Sequence, residues 1–378
     1  MEKVGIIMAG GSGNRFWPLS RINRPKQLIK FDDNSPTLLE ESIIRASKVI
    51  PKENIFIITN QYLKEQIEEL ITDLPKENII AEPMKRNTAP CLALASSIIS
   101  TRLQSRNIKV QDIVAAVLTA DQRIFPFESF SELITPLMKY VYYNPSLATI
   151  GIRPSRPETG YGYIEVESDF DYTIDSLQIQ PVRSFHEKPS QEKANEFFHS
   201  HKYLWNSGMF FYRLDVFNEK LSKYCPRVGE MLDKMSEIIT RNPLEDNFSY
   251  NPEILQLYSL MPDISIDFAL MEKAQKVVVA PSTFSWEDLG SYDTLPRIYS
   301  VDDNQNYIQG NVLDIDTTNS ILINRSSEEK NTLLTVLGFS NTVVAVTDDA
   351  VMICPLERVQ EVKRIVQELD KTNNNKWL

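Results

Sequence analysis

Val4-Gly5-Ile6-Ile7-Met8-Ala9-Gly10-Gly11-Ser12-Gly13-Asn14-Arg15-Phe16-Trp17-Pro18-Leu19-Ser20 stands at the head of the chain. Residues 4–8 are an apolar run of strand length that passes directly into a glycine-rich loop. A buried strand delivering such a loop is how α/β folds bring backbone N–H groups up to a phosphate. Glycine serves there because a Cβ would hold the backbone off the ligand. Charge points the same way. Between Val4 and Phe31 there is no Asp or Glu, whereas Arg15, Arg21, Arg24, Lys26 and Lys30 all fall in that interval, in a chain of net charge -11. This local inversion of sign predicts a small polyanion as partner; the alternative is a turn whose arginines merely cover the surface. Two relatives of the motif are excluded. Walker A ends in Gly-Lys-Ser/Thr, but Gly13 is followed by Asn14-Arg15; the dinucleotide fingerprint needs a third glycine where Phe16 stands.

Outward from the loop, strands and helices alternate. Ser35-Pro36 reads as a helix start with proline at the first helical position, and Leu38, Leu39, Ile43, Ala46 and Ile50 recur at helical spacing. Residues 54–60 read as a strand, 63–71 as a helix, 78–81 as a strand, 88–103 as a close-packed helix and 113–119 as the most apolar strand. Such alternation predicts a parallel, doubly wound sheet with ligands beyond the carboxyl ends of its strands, where the loop, Glu82 and Asp121 all fall. From Ala148 the texture turns β-rich, at 160–166, 182–186 and 209–214, with helices at 191–199, 228–240 and 265–274 and a strand at 276–279. Asp302-Asp303-Asn304-Gln305-Asn306 marks a boundary near residue 300. Beyond it, short strands at 312–315, 320–323, 333–337, 342–346 and 350–353 precede a closing helix at 356–369. The expected domains are therefore 1–300 and 301–378.

The length of 378 residues suits one large α/β domain plus a smaller one. The acidic total argues against a nucleic-acid groove or an anionic membrane surface as partner, and no apolar run approaches a membrane span. The N-terminus has no basic region or cleavage site, so no signal peptide is expected. Cys91, Cys225 and Cys354 are few, odd in number and far apart, which predicts reduced, buried thiols in a cytoplasmic protein. His186, His199 and His201 are the only histidines, so histidine chemistry is not expected.

The combination Gly-Gly-x-Gly-x-Arg at 10–15 with Arg24-Pro25-Lys26-Gln27 resembles the signature of the sugar-phosphate nucleotidyltransferases. In its full form, through Phe16-Trp17-Pro18-Leu19-Ser20, it is similar to the guanylyltransferase members that act on mannose 1-phosphate. The resemblance runs from Gly5 to about Leu369. It implies an α/β fold, a Rossmann-like doubly wound mixed sheet, followed by a small C-terminal β-rich domain like a short left-handed β-helix. The strand spacing alone does not distinguish that coil from a small sandwich. It also implies transfer of GMP from GTP to mannose 1-phosphate, giving GDP-mannose and pyrophosphate, with Mg²⁺ as cofactor. Ala9, Gly10, Gly11, Ser12, Gly13 and Asn14 would bind nucleotide, with Arg15 and Lys26 as catalytic residues.

Two aspartates remote in sequence, Asp121 after a strand and Asp288 in Trp286-Glu287-Asp288-Leu289-Gly290, offer the hard oxygen donors that Mg²⁺ takes. A lone Asp after a strand reads first as a turn or helix cap; the resemblance reverses this and assigns both to the metal. Gln122 departs from the histidine common in the family at that position. Asp267 in Ser265-Ile266-Asp267-Phe268-Ala269 reads either as a further acidic contact or as a helix-start carboxylate. Glu82, ahead of Pro83 and Arg86-Asn87-Thr88-Ala89-Pro90, suits base selection, because guanine presents two adjacent donors that one carboxylate can accept and adenine does not. ATP would leave that carboxylate desolvated and unpaired. Asn87 and Thr88 join the nucleotide set and also serve as a helix N-cap.

The sugar stretches are Glu158-Thr159-Gly160-Tyr161-Gly162, Phe185-His186-Glu187-Lys188-Pro189 and Trp205-Asn206-Ser207-Gly208-Met209-Phe210. Each alone is an ordinary turn; in this order they match the family's sugar-binding motifs, with Gly162, Glu187, Lys188 and Asn206 as contacts. Alternatives stay open: another sugar or base in the same family, or a silent homologue that binds a nucleotide sugar and regulates a partner. A nicotinamide oxidoreductase lacks its third glycine. The resemblance further implies a homodimer through the C-terminal coil and, since the chain leaves no room for the isomerase domain of some relatives, a single activity.

Overall fold

The computed structural model describes residues 1–11, 13–31, 35–167, 172–174, 177–242 and 248–378. In chain order the elements begin with β1 (Glu2–Met8), α1 (Leu38–Ser47), β2 (Ile55–Asn60), α2 (Gln61–Leu70), β3 (Ile79–Glu82), α3 (Thr88–Gln104), β4 (Ile113–Thr119), β5 (Gln122–Phe125) and α4 (Phe127–Tyr143). There follow β6 (Leu147–Ile152), β7 (Tyr163–Val166), β8 (Tyr172–Ile174), β9 (Leu177–His186), α5 (Gln191–Ser200), β10 (Tyr203–Arg213), α6 (Leu214–Tyr224), α7 (Pro226–Arg241) and α8 (Pro252–Leu260). A π-helical turn at Asp267–Met271 leads to β11 (Val277–Pro281), β12 (Ser285–Asp288) and α9 (Leu295–Ile298). The last part holds β13 (Tyr307–Gln309), β14 (Val312–Ile315), β15 (Ile321–Asn324), β16 (Leu334–Leu337), β17 (Thr342–Val346), β18 (Val351–Pro355) and α10 (Lys363–Lys371).

Two compact units emerge. The first comprises Met1–Gly10, Ser42–Thr119 and Phe125–Ser285; the second comprises Gly11–Glu41, Ala120–Ile124 and Trp286–Leu378. The first is built on a ten-stranded sheet in the order β3-β2-β1-β4-β10-β6-β11-β9-β7, with β8 on β9. The four strands β3, β2, β1 and β4 are parallel, as the alternation predicts. The sheet is nevertheless mixed, because β10 runs antiparallel to β4 and β6. Parallel strands buried on both faces need apolar residues at every position, and Val4, Ile6, Ile7 and all of residues 113–118 are buried. α3 is buried nearly all round, which its small residues allow, and Ser97 Oγ donates to Leu232 O of α7 at 3.0 Å.

The second unit gathers the C-terminal strands. β13, β15 and β17 stack in parallel with β18 antiparallel at the edge, and β14 pairs with β16 in parallel. Its core joins Phe16, Trp17, Leu19 and Phe31 to Tyr292, Tyr307, Ile321, Ile323 and Val343. Tyr292 OH donates to Phe16 O at 2.9 Å, and Tyr307 OH donates to Phe31 O at 2.9 Å. The apolar half of the glycine-rich motif is thus an anchor within this unit.

Several expectations are corrected. α1 begins at Leu38, because Thr37 and not Ser35 caps it: Glu40 N donates to Thr37 Oγ1 and Thr37 N to Glu40 Oε2, a reciprocal box that leaves Pro36 outside. The stretch 205–210 is not a turn but lies within β10, whose register shifts between Asn206 and Phe210 as a bulge. α4 is absent from the sequence reading, although Phe130, Leu133, Ile134, Leu137, Met138 and Val141 bury one helical stripe; Pro136 lies inside it. The closing helix divides into a tight turn at Leu356–Glu361 and α10. Of the three free cysteines only Cys91 is buried; Cys225 and Cys354 are half-buried. Among the described residues no helix is long and apolar enough to cross a membrane.

Candidate active site

Lys26 organises the candidate site of the second unit. Its Nζ lies 3.1 Å from Asp121 Oδ2, 3.5 Å from Asp288 Oδ1 and 2.8 Å from Leu289 O. Burial works against the ammonium, but the two carboxylates overcome it and hold its pKa above the ordinary lysine value. Asp288 is pushed up by burial and by the like charge of Asp121, with Lys26 and Arg15 pulling the other way. Arg15 itself is exposed. Gly13, at φ +60°, lies against the same lysine: a Cβ there would stand 2.8 Å from Lys26 Cβ and 2.9 Å from Lys26 N. Only glycine permits this approach, so loop and lysine are set as one piece. Ser20 Oγ donates to Gly13 O at 2.8 Å and steadies the turn.

Gln122, where the family's histidine was expected, accepts a hydrogen bond from Trp286 Nε1 at 2.8 Å. One partner follows Asp121 and the other precedes Asp288 by two, and β5 pairs with β12. This buried bond fixes the spacing of the two aspartates. Of the remaining loop residues, Asn14 and Arg15 open a tight turn at Asn14–Phe16. Gly11 lies in the second unit, Ala9 and Gly10 end a segment of the first, and Ser12 lies outside the described residues.

The first unit holds the other predicted residues. Glu82 is the last residue of β3, and Tyr258 OH, wholly buried on α8, donates to its Oε1. Burial raises the Glu82 carboxyl to about 7, while the hydrogen bond from Tyr258 and the charge of Lys85 act downward. Asn87 caps α3 by accepting from Thr88 N at 2.9 Å. Thr88 does not cap; its Oγ1 accepts from Ile266 N at 2.8 Å, and Ala89 N donates to Ile264 O at 3.1 Å. The base stretch is therefore laced to the segment that carries Asp267.

Asp267 accepts from Asn206 Nδ2 at 2.8 Å. Asn206 Oδ1 takes Gly208 N at 3.2 Å, which fixes the amide's direction. Burial, with the like charge of Glu187, raises Asp267 to about 6. Glu187 pairs with Lys188 Nζ at 2.7 Å, and a Cβ on Gly162 would stand 2.5 Å from Glu187 Oε2. Gly162, Glu187, Lys188, Asn206 and Asp267 thus form one cluster of donors and acceptors, the chemistry that hydroxyls require. Asp267 opens a π-helical turn, a form common at functional sites.

A family profile described as Nucleotidyl transferase matches residues 4–304. The chain belongs to this nucleotidyl transferase family. A second profile, for a MannoseP isomerase/GMP-like beta-helix domain, matches residues 310–369. A mannose-1-phosphate guanylyltransferase of Salmonella montevideo is 35% identical over 99% of the chain and 75% of its own length. One from Escherichia coli is 31% identical over 97% of the chain and 75% of its own length. A crystal structure from Thermus thermophilus, described as a mannose-1-phosphate geranyltransferase, is 26% identical with a TM-score of 0.82, covering 98% of this chain and 100% of that one. The fold is that of a nucleotidyl transferase with a C-terminal β-helix-like domain.

Nucleotidyl transferases of this family generally use a divalent metal. Asp121 and Asp288 fit one. They are two hard oxygen donors converging on one centre, where the Lys26 ammonium already supplies a positive charge. Asp288 is raised by burial and by the like charge of Asp121, both of which favour a cation beside it. Among the described residues no cluster of three or more His, Cys, Asp or Glu side chains that could hold a metal is present. Tyr258 and the Gln122–Trp286 pair escaped sequence reading in this nucleotidyl transferase. A tyrosine on a helix remote in sequence carries no local signal for a strand-end carboxylate.

Proposed function

We propose that the chain transfers GMP from GTP to mannose 1-phosphate, giving GDP-mannose and pyrophosphate. The observation that carries this reading is Lys26, held between Asp121 and Asp288 against Gly13 of the glycine-rich loop. The sugar phosphate oxygen attacks the α-phosphorus in line, and pyrophosphate leaves, with no covalent intermediate. Catalysis is then positioning plus charge stabilisation. Ala9, Gly10, Gly11, Ser12, Gly13 and Asn14 hold the nucleotide's phosphates, and Arg15 takes up charge on the leaving group. Lys26 offsets repulsion between the attacking phosphate and the α-phosphate. Mg²⁺, for which Asp121 and Asp288 would be the protein ligands, supplies charge neutralisation and a more electrophilic phosphorus.

Glu82 reads guanine, with Asn87 and Thr88 shaping the approach. Gly162, Glu187, Lys188 and Asn206 bind the sugar, and Asp267, bonded to Asn206, aligns that amide. Residues 1–300 act as the catalytic domain and 301–378 as the β-helix-like domain. Three cysteines, none paired with another, support a cytoplasmic setting.

The test is pyrophosphate release with Mg²⁺ and mannose 1-phosphate, supplying GTP, ATP, UTP and CTP in turn. Release with GTP alone is expected. Release with another nucleotide instead would discard the guanine assignment, and no release with any, while GDP-mannose still binds, would favour a regulatory homologue.

Base reading carries a pH signature. Only the ionised Glu82 accepts both guanine donors, and its carboxyl is raised to about 7. kcat/KM for GTP is expected to climb as pH rises through 7, standing about tenfold below its plateau one unit under the midpoint. Tyr258→Phe removes a hydrogen bond that favours the carboxylate, so its profile should move to higher pH. A flat profile between pH 6 and 8 would remove Glu82 from the base site.

A homodimer is supported by the outer face of the β14–β16 pair. Leu313, Ile315, Leu337 and Phe339 are each half-exposed or more, and Ile315 lies opposite Leu337. Contiguous apolar patches of this kind mark interfaces. Sedimentation should give a dimer for the wild type and a monomer for Ile315→Asp/Leu337→Asp; a monomeric wild type at micromolar concentration would end this assignment.

A further inference from the structure

The five cations of residues 4–31 do not act as one group. Lys26 belongs to the aspartates, and Arg21 pairs with Asp349 at 2.9 Å. Arg24 and Lys30 line a different cavity of about 780 Å³ within the second unit, together with Arg325 of the C-terminal coil. Arg325 Nη2 donates to the Lys30 carbonyl at 2.5 Å, which seats the Arg325 guanidinium beside that segment. Arg24 and Arg325 repel: burial, and then the charge of Arg325, lower the Arg24 pKa. Arg24 and Lys30 are exposed, so their charges are open to an anion from solution.

The rest of the lining includes Arg21, which is held by Asp349. Ser327, Glu328, Asp348 and Asp349 contribute a hydroxyl and three carboxylates, with Ser327 N bonded to Asp348 Oδ1 at 2.7 Å and Asp349 taken up by Arg21. Ser326, Thr332 and Thr347 add further hydroxyls, and Asn331 is among the amides. Arginines suit a phosphate, whereas carboxylates beside hydroxyls and amides repel one and suit sugar hydroxyls, which donate as well as accept. Among the described residues no aromatic side chain lines the cavity for a base to stack on.

We propose that this cavity is a binding site for a phosphorylated sugar, with Arg24, Lys30 and Arg325 on the phosphate and Glu328 and Asp348 on the hydroxyls. It is separate from Lys26, Asp121 and Asp288, none of which lines it, and it stands whether or not the transfer reaction is as proposed. Its volume suits a hexose phosphate with bound water.

The test is calorimetric titration of the full chain with glucose 6-phosphate, and in parallel with inorganic phosphate, at low ionic strength. The wild type should bind glucose 6-phosphate more tightly than phosphate. Arg325→Ala should weaken glucose 6-phosphate at least about tenfold, while Arg325→Lys, which keeps the charge, should retain most of the affinity and so separates lost charge from lost folding. Glu328→Gln, on the surface, should weaken the sugar phosphate and leave inorganic phosphate unchanged. Lys26→Ala should leave cavity binding intact. No binding, or binding lost in Lys26→Ala and kept in Arg325→Ala, would overturn the site. Equal affinity for both ligands would overturn its assignment to a sugar.

Discussion

Lys26→Ala and Arg15→Ala are each expected to lower turnover about 10²- to 10³-fold at saturating GTP and mannose 1-phosphate, the scale for removing one charge-stabilising donor. The two variants test different things. Lys26 is enclosed by Asp121, Asp288 and Leu289 O, so its loss also leaves two carboxylates without their shared counter-charge. A drop in stability should accompany the drop in rate, and Lys26→Arg serves as the charge-retaining control. Arg15 is exposed and acts on this centre through its field on Asp288. Its removal should leave the melting temperature unchanged, so a lost rate reads directly on the chemistry. Near-normal turnover in either variant would withdraw that residue from catalysis.

Asp121→Asn should abolish both most of the activity and its response to Mg²⁺. Asparagine keeps the shape but removes the charge, and a neutral amide oxygen is a poor second donor beside Asp288 for a hard dication. Stripping the wild type with a chelator should stop turnover, and titrating Mg²⁺ back should restore it; the variant should respond to neither. Mn²⁺ bound per chain, counted by its paramagnetic signal, gives a readout apart from rate and should fall in the variant. Turnover that still rises with Mg²⁺ would mean that the metal is held elsewhere.

Continuous apolar runs were the most legible parts of the fold. Residues 113–119 and 342–346 were assigned with the bounds observed, because a strand buried on both faces leaves no other reading for so short a run. The meeting of Lys26, Asp121 and Asp288 was legible only as three separate motifs; that one ammonium would sit between two carboxylates is a property of packing. α4 is less legible: the buried stripe from Phe130 to Val141 has helical spacing, but Pro136 argues locally for a break. The bulge at Asn206 looked like a turn because Asn, Ser and Gly favour both. Arg24 and Lys30 were grouped with Lys26 by proximity in sequence, whereas the fold gives them Arg325 as neighbour.

The second unit is assembled from three separated pieces of chain, Gly11–Glu41, Ala120–Ile124 and Trp286–Leu378. A ribosome delivers these pieces in order, so Lys26 and then Asp121 emerge long before Asp288 exists to receive them. Phe16, Trp17 and Phe31 likewise wait for Tyr292, Tyr307 and Val343 to complete their core. Closing contacts of such long range is slow and leaves apolar surface open meanwhile. The nascent chain therefore carries its glycine-rich loop without these partners until Asp288 and the strands beyond it have been made.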